Sequence, residues 1–257
     1  MSVTIKSARE IELMREAGKI LCKTHEELSK ALRPGMTTWD IDHLGEEIIR
    51  SYGCTPSFLN YNGYPASICV SVNDEVVHGI PSRKRILREG DIVSLDAGVI
   101  YKGYHSDAAR TYGIGEITPE AGQLIEVTRQ CFFEGIKFAK SGNHLNDISS
   151  AIQEYAERFG YGVVRDLVGH GIGSHLHEEP EVPNFAMKRR GIKLKPGMTL
   201  AIEPMINEGL PGVVWLDDDW TVVTEDGSLS AHYENTVLIT EGEPEILSLV
   251  SPREDRS

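Results

Sequence analysis

Residues 87–99 read LREGDIVSLDAGV and residues 194–206 read LKPGMTLAIEPMI, so a glycine turn followed by an apolar strand occurs twice, 107 residues apart. The same spacing relates Gly35 to Gly142, and one helix-like stretch to another. Self-similarity at one fixed spacing is typical of a repeated structural unit. We therefore predict two α/β halves of related shape, packed about a pseudo-twofold axis.

Helical and strand patterns surround both copies of this segment. Apolar residues recur near helical spacing in four stretches, two of which begin with capping signals. The predicted helices cover about residues 8–32, begin at Thr37, begin at Thr118, and cover about residues 144–159. Runs typical of strands occupy residues 67–72, 92–112, 163–168, 198–206 and, in pieces, 213–239.

No low-complexity stretch or long linker divides the chain. We therefore predict a single α+β domain over residues 1–257, with antiparallel sheet and flanking helices. Its two halves cover about residues 1–115 and 116–250, and residues 251–257 have the composition of a frayed tail.

Composition excludes several classes of function. The chain has 257 residues and a net charge of −13, which argues against broad contact with nucleic acid because that affinity comes from neutralising phosphates. No apolar run approaches the roughly 18 residues of a membrane span, and residues 1–10 lack the apolar segment of a signal peptide. The four cysteines are scattered without a Cys-x-x-Cys pair, which is typical of a reduced, cytoplasmic protein.

Each repeated strand carries one acid inside an apolar run. Asp96 follows residues 92–95, Glu203 follows residues 200–202, and the repeat spacing relates the two acids. A buried carboxylate is costly unless it is paired or coordinates a metal. Two carboxylates that meet near a twofold axis would also repel each other without a cation between them. The pair therefore indicates a metal centre.

A second acid follows on the neighbouring strand. The dipeptide at residues 102–103 predicts a two-residue hairpin turn that pairs Tyr101 with Tyr104. In that register Asp96 and Asp107 are diagonal neighbours on one face, about 7–8 Å apart at the backbone. A slip of one residue would place them on opposite faces, so a shared ion depends on this register.

Further candidate ligands lie in the second half. Glu234 stands on a later strand, and residues 168–180 read VGHGIGSHLHEEP with three histidines. Carboxylates and imidazoles suit hard or borderline divalent ions such as Mn, Fe, Co or Zn. Two divalent ions would balance four carboxylates and leave a bridging hydroxide as the excess charge. Such a site favours hydrolysis.

With these residues the chain resembles the methionine aminopeptidases of the short bacterial type, which have the pita-bread fold shared with aminopeptidase P and prolidase. The resemblance covers about residues 5–249. Its strongest segments are SLDAGVIYKGYHSDAARTY (residues 94–112), VGHGIGSHLHEEP (residues 168–180), AIEPM (residues 201–205) and DDDWTVVTEDGSLSAHYENT (residues 217–236).

The resemblance implies removal of the initiator methionine from nascent proteins with a small second residue. It implies two divalent ions, with ligands at Asp96, Asp107, His170, Glu203 and Glu234. It also implies a monomer that associates transiently with the ribosome and that binds neither a specific nucleic-acid sequence nor a membrane.

The resemblance further assigns roles around the metal ions. Glu203 would move the proton, His177 would donate to the oxyanion, and His78 would contact the backbone of the second residue. A pocket for the methionine side chain, and more weakly a monovalent-cation site, are also implied. The pocket residues are Tyr61, Tyr64, Cys69 and Trp220, with Phe58 at the edge, and the cation-site residues are Asn73 and Ser230.

Two alternatives stay open at this point. A pita-bread binding protein without catalysis would typically lack ligands, whereas all five are present. A related prolyl peptidase usually has an additional N-terminal domain, whereas some 60 residues precede the first core strand of this chain.

Overall fold

The computed structural model describes residues 3–249, and the frayed tail predicted for residues 251–257 lies outside them. All four predicted helices are confirmed. They are α1 (Ala8–Ala31), α2 (Thr38–Ser51), α3 (Pro119–Ile136) and α4 (Leu145–Glu157). None of the helices within residues 3–249 is long and apolar enough to cross a bilayer.

Strands in this part of the chain are short and pair in antiparallel fashion. They are β1 (Thr55–Pro56), β2 (Ile68–Val72), β3 (Glu75–Val77), β4 (Ile92–Tyr101), β5 (Tyr104–Gly113), β6 (Gly162–Val163), β7 (Gly169–Gly171), β8 (Glu178–Val182), β9 (Thr199–Ile202), β10 (Met205–Asn207), β11 (Val213–Trp215), β12 (Val222–Thr224), β13 (Ser230–His232), β14 (Asn235–Leu238) and β15 (Glu245–Ile246). A single 3-10 turn covers Tyr61–Gly63.

Two strand predictions need correction. The run at residues 198–206 is not one strand, since it is interrupted at Glu203 and Pro204 between β9 and β10. Proline has no N–H for the ladder, which explains the interruption. In the run at residues 163–168, only Val163 lies on a strand.

The second helix of each half begins in the same way. Thr37 precedes α2, where the Asp40 carboxylate accepts a hydrogen bond from the Thr37 N–H at 2.8 Å. His144 precedes α4, where the Asp147 carboxylate accepts one from the His144 N–H at 2.8 Å. These residues are 107 apart, and each acid satisfies an N–H that the helix itself cannot.

The glycine turns of the two halves match as well. The Gly35 N–H donates to the Leu87 carbonyl at 2.8 Å, and the Gly142 N–H donates to the Leu194 carbonyl at 3.1 Å. Both glycines have left-handed backbone, with φ of 90° and 93°, a conformation that favours glycine. The predicted repeat is therefore confirmed at the level of individual backbone hydrogen bonds.

The hairpin register on which the shared ion depended is confirmed. Tyr101 pairs with Tyr104, and both turn residues at 102–103 have positive φ, as a type I′ turn requires. Asp96 pairs with Ala109, so it is two positions away from the partner of Asp107. The two carboxylates therefore leave the hairpin on the same face.

Helices cover the outer faces of the sheets. Leu21 of α1 and Ile41 of α2 pack with Leu95 of β4 in one buried apolar cluster. Phe132 of α3 and Ile148 of α4 belong to a second cluster, which covers the other half. Because the helices bury the outer faces, the inner faces of the two halves are left for the site.

Candidate metal centre

The five predicted metal ligands converge on one cavity of about 320 Å³. Asp96 comes from β4, Asp107 from β5 and His170 from β7. Glu203 and Glu234 lie at the breaks that separate β9 from β10 and β13 from β14. Each half thus supplies two carboxylates.

All four acids are buried or partly buried. Asp107 and Glu234 are 3 % and 2 % exposed. Burial raises the pKa of Asp96 to about 7 and that of Glu203 to about 8. Burial, and then the charges of the neighbouring carboxylates, raise the pKa of Asp107 and of Glu234 well above the ordinary value. Ionising all four near neutral pH requires compensating positive charge.

Unpartnered oxygen atoms in the cluster fit a divalent cation. Oδ1 of Asp96, Oδ1 of Asp107 and Oε1 of Glu234 are buried without a hydrogen-bond partner among residues 3–249. The nearby Arg110 guanidinium donates to backbone carbonyls and to the amide oxygen of Asn235. Because hard cations prefer oxygen ligands, these three atoms form a suitable donor set.

His170 is oriented as a metal ligand. Its Nδ1 donates to the carbonyl of Gly171 at 2.9 Å, which leaves the Nε2 lone pair free. This Nε2 lies 3.9 Å from Oδ2 of Asp107 and 3.7 Å from Oε1 of Glu203. Burial lowers the pKa of His170 to about 3, so the imidazole stays neutral, as a ligand must be.

Donor atoms form two overlapping groups, each within 4.8 Å. The first contains Asp107, His170 and Glu234, and the second contains Glu203, His232 and Glu234. His232 was not among the ligands predicted from the sequence. Its position two residues before Glu234 was the available signal.

His177 lies beside the predicted metal ligand His170. Its ring meets the ring of His170 edge-on, with centroids 4.2 Å apart. Its Nδ1 is 2.9 Å from the hydroxyl of Tyr61. Burial lowers the pKa of His177 and so favours the neutral ring.

His78 has a left-handed backbone with φ of 60°, which is uncommon for a residue other than glycine. Gly79 follows it, where a Cβ would come within 2.3 Å of the Val70 carbonyl oxygen. The His78 ring lines the cavity, with its centroid 6.3 Å from that of Trp220. Burial lowers the pKa of His78 to about 4. Backbone strain of this kind often accompanies a functional site.

The predicted pocket residues form the apolar wall of the same cavity. The Tyr64 hydroxyl donates to the Gly79 carbonyl at 2.9 Å, and its ring meets Trp220 edge-on at 5.1 Å. Cys69 pairs with Asp96 across β2 and β4, so the apolar wall and the acids are adjacent. The predicted residues that line the cavity are Phe58, Tyr61, Tyr64, Cys69 and Trp220, together with Leu176, whose position the resemblance also places on the pocket side. Lining residues that were not predicted include Asn62, Val77, Asp166, Leu167, Val168 and Met205.

The residues of the weaker cation prediction lie together, outside the residues that line the cavity. The Ser230 N–H donates to the carbonyl of Asn73 at 2.9 Å, and Asn73 has a left-handed backbone with φ of 60°. A cation at this position stays a prediction.

Known proteins resemble the chain over nearly its whole length. A family model described as metallopeptidase family M24 matches residues 12–241. A methionine aminopeptidase of Clostridium acetobutylicum is 58 % identical over 96 % of this chain and 99 % of its own, and methionine aminopeptidase 1 of Bacillus subtilis is 49 % identical over 96 % and 100 %.

Solved structures agree with this assignment. The methionine aminopeptidase of Thermotoga maritima has a TM-score of 0.95 at 46 % identity, covering 97 % of this chain and all of its own. An Xaa-Pro dipeptidase from Bacillus anthracis has a TM-score of 0.78 at 27 % identity, with 97 % of this chain covering 63 % of its own. The chain therefore belongs to metallopeptidase family M24, with the pita-bread fold, and within it to the methionine aminopeptidases of the short bacterial type.

Proposed function

We propose that this metallopeptidase removes the initiator methionine from nascent proteins with a small second residue. The observation that carries the proposal is one cavity in which five metal-ligating side chains face an apolar wall of aromatic residues and Cys69. A methionine side chain against that wall would bring its own amine and peptide carbonyl to the acids. The polarizable thioether of methionine suits aromatic surroundings.

Two divalent ions (Co, Mn, Fe or Zn) would be held by Asp96, Asp107, His170, Glu203 and Glu234. When bound, these ions supply Lewis acidity and make water a nucleophile near neutral pH. A monovalent cation would bind the backbone at Asn73 and Ser230.

Glu203 moves the proton in this proposal. Its carboxylate lies in the cavity and takes the proton of the attacking water, which it then delivers to the leaving amine. One residue can therefore serve both halves of the reaction.

His177 and His78 bind the reacting peptide. If the Tyr61 hydroxyl donates to Nδ1 of His177, the neutral ring carries its proton on Nε2. The Nε2–H then donates a hydrogen bond to the peptide carbonyl oxygen as negative charge develops on it. His78, which is also neutral, contacts the backbone of the second residue. Both histidines orient the peptide without adding charge to the cavity.

The alternatives from the sequence receive less support. A binding protein without catalysis would not need five ligand side chains around one cavity. A prolyl peptidase receives less support because the chain is 27 % identical to an Xaa-Pro dipeptidase but 58 % identical to a methionine aminopeptidase. We further propose one catalytic domain formed by the whole chain, acting as a cytoplasmic monomer with transient ribosome contact.

A peptide panel tests the function. The purified protein with Mn²⁺ or Co²⁺ should release methionine from Met-Gly-Met and Met-Ala-Ser, and much less from Met-Lys-Ser. Glu203→Gln should not cleave these peptides, because it keeps the shape of the side chain but removes the proposed base and one proposed metal ligand. Failure to cleave Met-Gly-Met would contradict the proposal, and a strict need for proline in the second position would favour the prolyl alternative.

A further inference from the structure

His232 is a buried imidazole that the proposed reaction does not use. It is 1 % exposed, and neither ring nitrogen has a hydrogen-bond partner among residues 3–249. Its Nε2 lies 3.5 Å from Oε2 of Glu203. Buried polar atoms in native proteins nearly always have a partner, so an imidazole held in this way calls for one.

The backbone of His232 is fixed by the other half of the fold. Its N–H donates to Oγ1 of Thr111 at 2.9 Å, and that hydroxyl donates to the His232 carbonyl at 2.9 Å. Ser94 contacts the same hydroxyl at 2.8 Å. Since both backbone groups are held, the ring has little freedom other than rotation about its own side-chain bonds.

Asp107 is the structural counterpart of His232 in the first half, although 125 residues separate the two rather than the 107 of the sequence repeat. Its N–H donates to Oγ1 of Thr236 at 2.8 Å, and that hydroxyl donates to the Asp107 carbonyl at 2.9 Å. Asp107 is two positions from the partner of Asp96 in its hairpin. His232 pairs with Met205 and so has the same relation to Glu203. The fold therefore places an imidazole beside Glu203 where the first half places a carboxylate beside Asp96.

The two oxygens of Glu203 face different histidines. Oε1 lies 3.7 Å from Nε2 of His170, the predicted metal ligand, whereas Oε2 lies 3.5 Å from Nε2 of His232. Asp107, His170 and Glu203 line the cavity, but His232 does not. Because His232 does not line the cavity, its placement fits a hydrogen-bond partner of the Glu203 carboxylate better than a metal ligand.

We propose that His232 is a positioning residue for Glu203, whose Oε2 accepts a hydrogen bond from the His232 Nε2–H so that Oε1 stays turned toward the metal centre. A movement of about 0.6 Å brings the two atoms to an ordinary hydrogen-bond length of about 2.9 Å. The inference rests on the proposed function, in which Glu203 is both a ligand and the proton carrier. Residues that hydrogen-bond to metal ligands commonly fix the orientation of those ligands.

Two amide substitutions test which ring nitrogen matters. In His232→Gln the amide nitrogen can occupy the position of Nε2, whereas in His232→Asn it can occupy that of Nδ1. We expect His232→Asn to lower kcat on Met-Ala-Ser and the Mn²⁺ affinity measured by calorimetry about 10- to 100-fold, with KM changed by less than about threefold. His232→Gln should keep kcat and Mn²⁺ affinity within about threefold of wild type.

Further readouts separate positioning from ligation and from a folding defect. The visible spectrum of the Co²⁺-loaded His232→Gln protein should match that of wild type, because no ligand is lost. His144→Asn, the same replacement at the start of α4, should leave kcat and Mn²⁺ affinity unchanged. Far-ultraviolet circular dichroism of the metal-free variants checks that each is folded.

Three results would overturn the proposal. These are an unaffected His232→Asn, a His232→Gln as impaired as His232→Asn, or an altered Co²⁺ spectrum in His232→Gln, which would make His232 a ligand. The Mn²⁺ affinities remain informative even if the wild type fails to cleave methionine peptides, so failure of the proposed function is distinguishable from failure of the positioning role.

Discussion

Nζ of Lys6 lies 2.6 Å from Oε2 of Glu178, and the two side chains are only 5 % and 9 % exposed. Thr4 donates to the same oxygen at 2.6 Å. Burial acts to raise the pKa of Glu178, but the hydrogen bonds from Lys6 and Thr4 outweigh it and lower that pKa. Since Glu178 directly follows His177, the segment before α1 anchors the loop that carries a proposed catalytic residue.

Lys6→Met should lower both stability and turnover. It leaves the Glu178 carboxylate buried without its cation, and breaking a buried pair on one side costs about 3–5 kcal/mol. Thr4 would still donate to the Glu178 carboxylate in this variant, so we expect the lower end of that range. We also expect kcat to fall about tenfold because the His177 loop loses its anchor, as measured by thermal unfolding and peptide hydrolysis.

Two further variants control for general effects of this substitution. Lys19→Met removes an exposed ion pair with Glu16 within α1 and should change neither quantity measurably. Lys6→Met combined with Glu178→Gln should recover much of the lost stability, because the unpaired charge is removed. A Lys6→Met protein with wild-type melting temperature and kcat would contradict the anchoring role.

His78→Ala should reduce kcat/KM about 100-fold while the metal content stays unchanged. The proposed contact of His78 is with the peptide backbone, and His78 is not among the predicted metal ligands. Alanine at a φ of 60° also adds backbone strain, so His78→Asn is the better-matched variant, because asparagine tolerates that conformation. Equal turnover of wild type and His78→Asn, at equal metal content by mass spectrometry, would remove the assigned role.

Removal of metal should give the protein an unusual pH dependence. Burial raises the pKa of Asp96 to about 7 and that of Glu203 to about 8. A carboxyl group whose pKa is raised on folding stabilises the fold below its unfolded pKa of about 4 and loses that contribution as pH rises through the folded value. The melting temperature of the chelator-treated protein should therefore fall from pH 6 to pH 8.

Metal should restore more stability at pH 8 than at pH 6, since it then replaces the missing positive charge. Asp96→Asn in the metal-free protein is the matched control, and it should flatten the decline. Differential scanning fluorimetry in matched buffers measures the melting temperatures of the metal-free protein, the metal-loaded protein and the metal-free Asp96→Asn variant. If the melting temperature of the metal-free protein stays constant or rises between pH 6 and pH 8, folding does not raise the pKa values of Asp96 and Glu203.

The parts of the fold and the site that could be predicted from the sequence are those that depend on local signals. The turn at residues 102–103 fixes the register of one hairpin, and with it the shared face of Asp96 and Asp107. The acids interrupt apolar strands, which makes them visible without coordinates. Both features depend only on neighbouring residues.

What was missed depends on contacts between distant segments. His232 is close to Glu234 in the sequence, but its position beside Glu203 depends on the pairing of β10 with β13, whose register is not set by a short turn. The ion pair of Lys6 and Glu178 joins residues far apart in sequence. Strand β3, which precedes His78, is only three residues long and has no periodicity to read.

Cys69→Leu should shift the preference of the pocket for the first side chain. Cys69 lines the cavity and is 4 % exposed, so two additional branches would occupy space that the methionine side chain needs. One methylene in an apolar pocket changes discrimination by roughly 10- to 200-fold. We therefore expect kcat/KM for Met-Ala-Ser to fall at least about tenfold, mainly through KM, and to fall less for Ala-Ala-Ser.

Cys69→Ala is the matched control and should change either value by less than about threefold. Mn²⁺ affinity separates a filled pocket from a displaced Asp96, which pairs with Cys69 across the sheet. If Cys69→Leu keeps wild-type Mn²⁺ affinity and the wild-type ratio between the two peptides, the methionine side chain binds elsewhere.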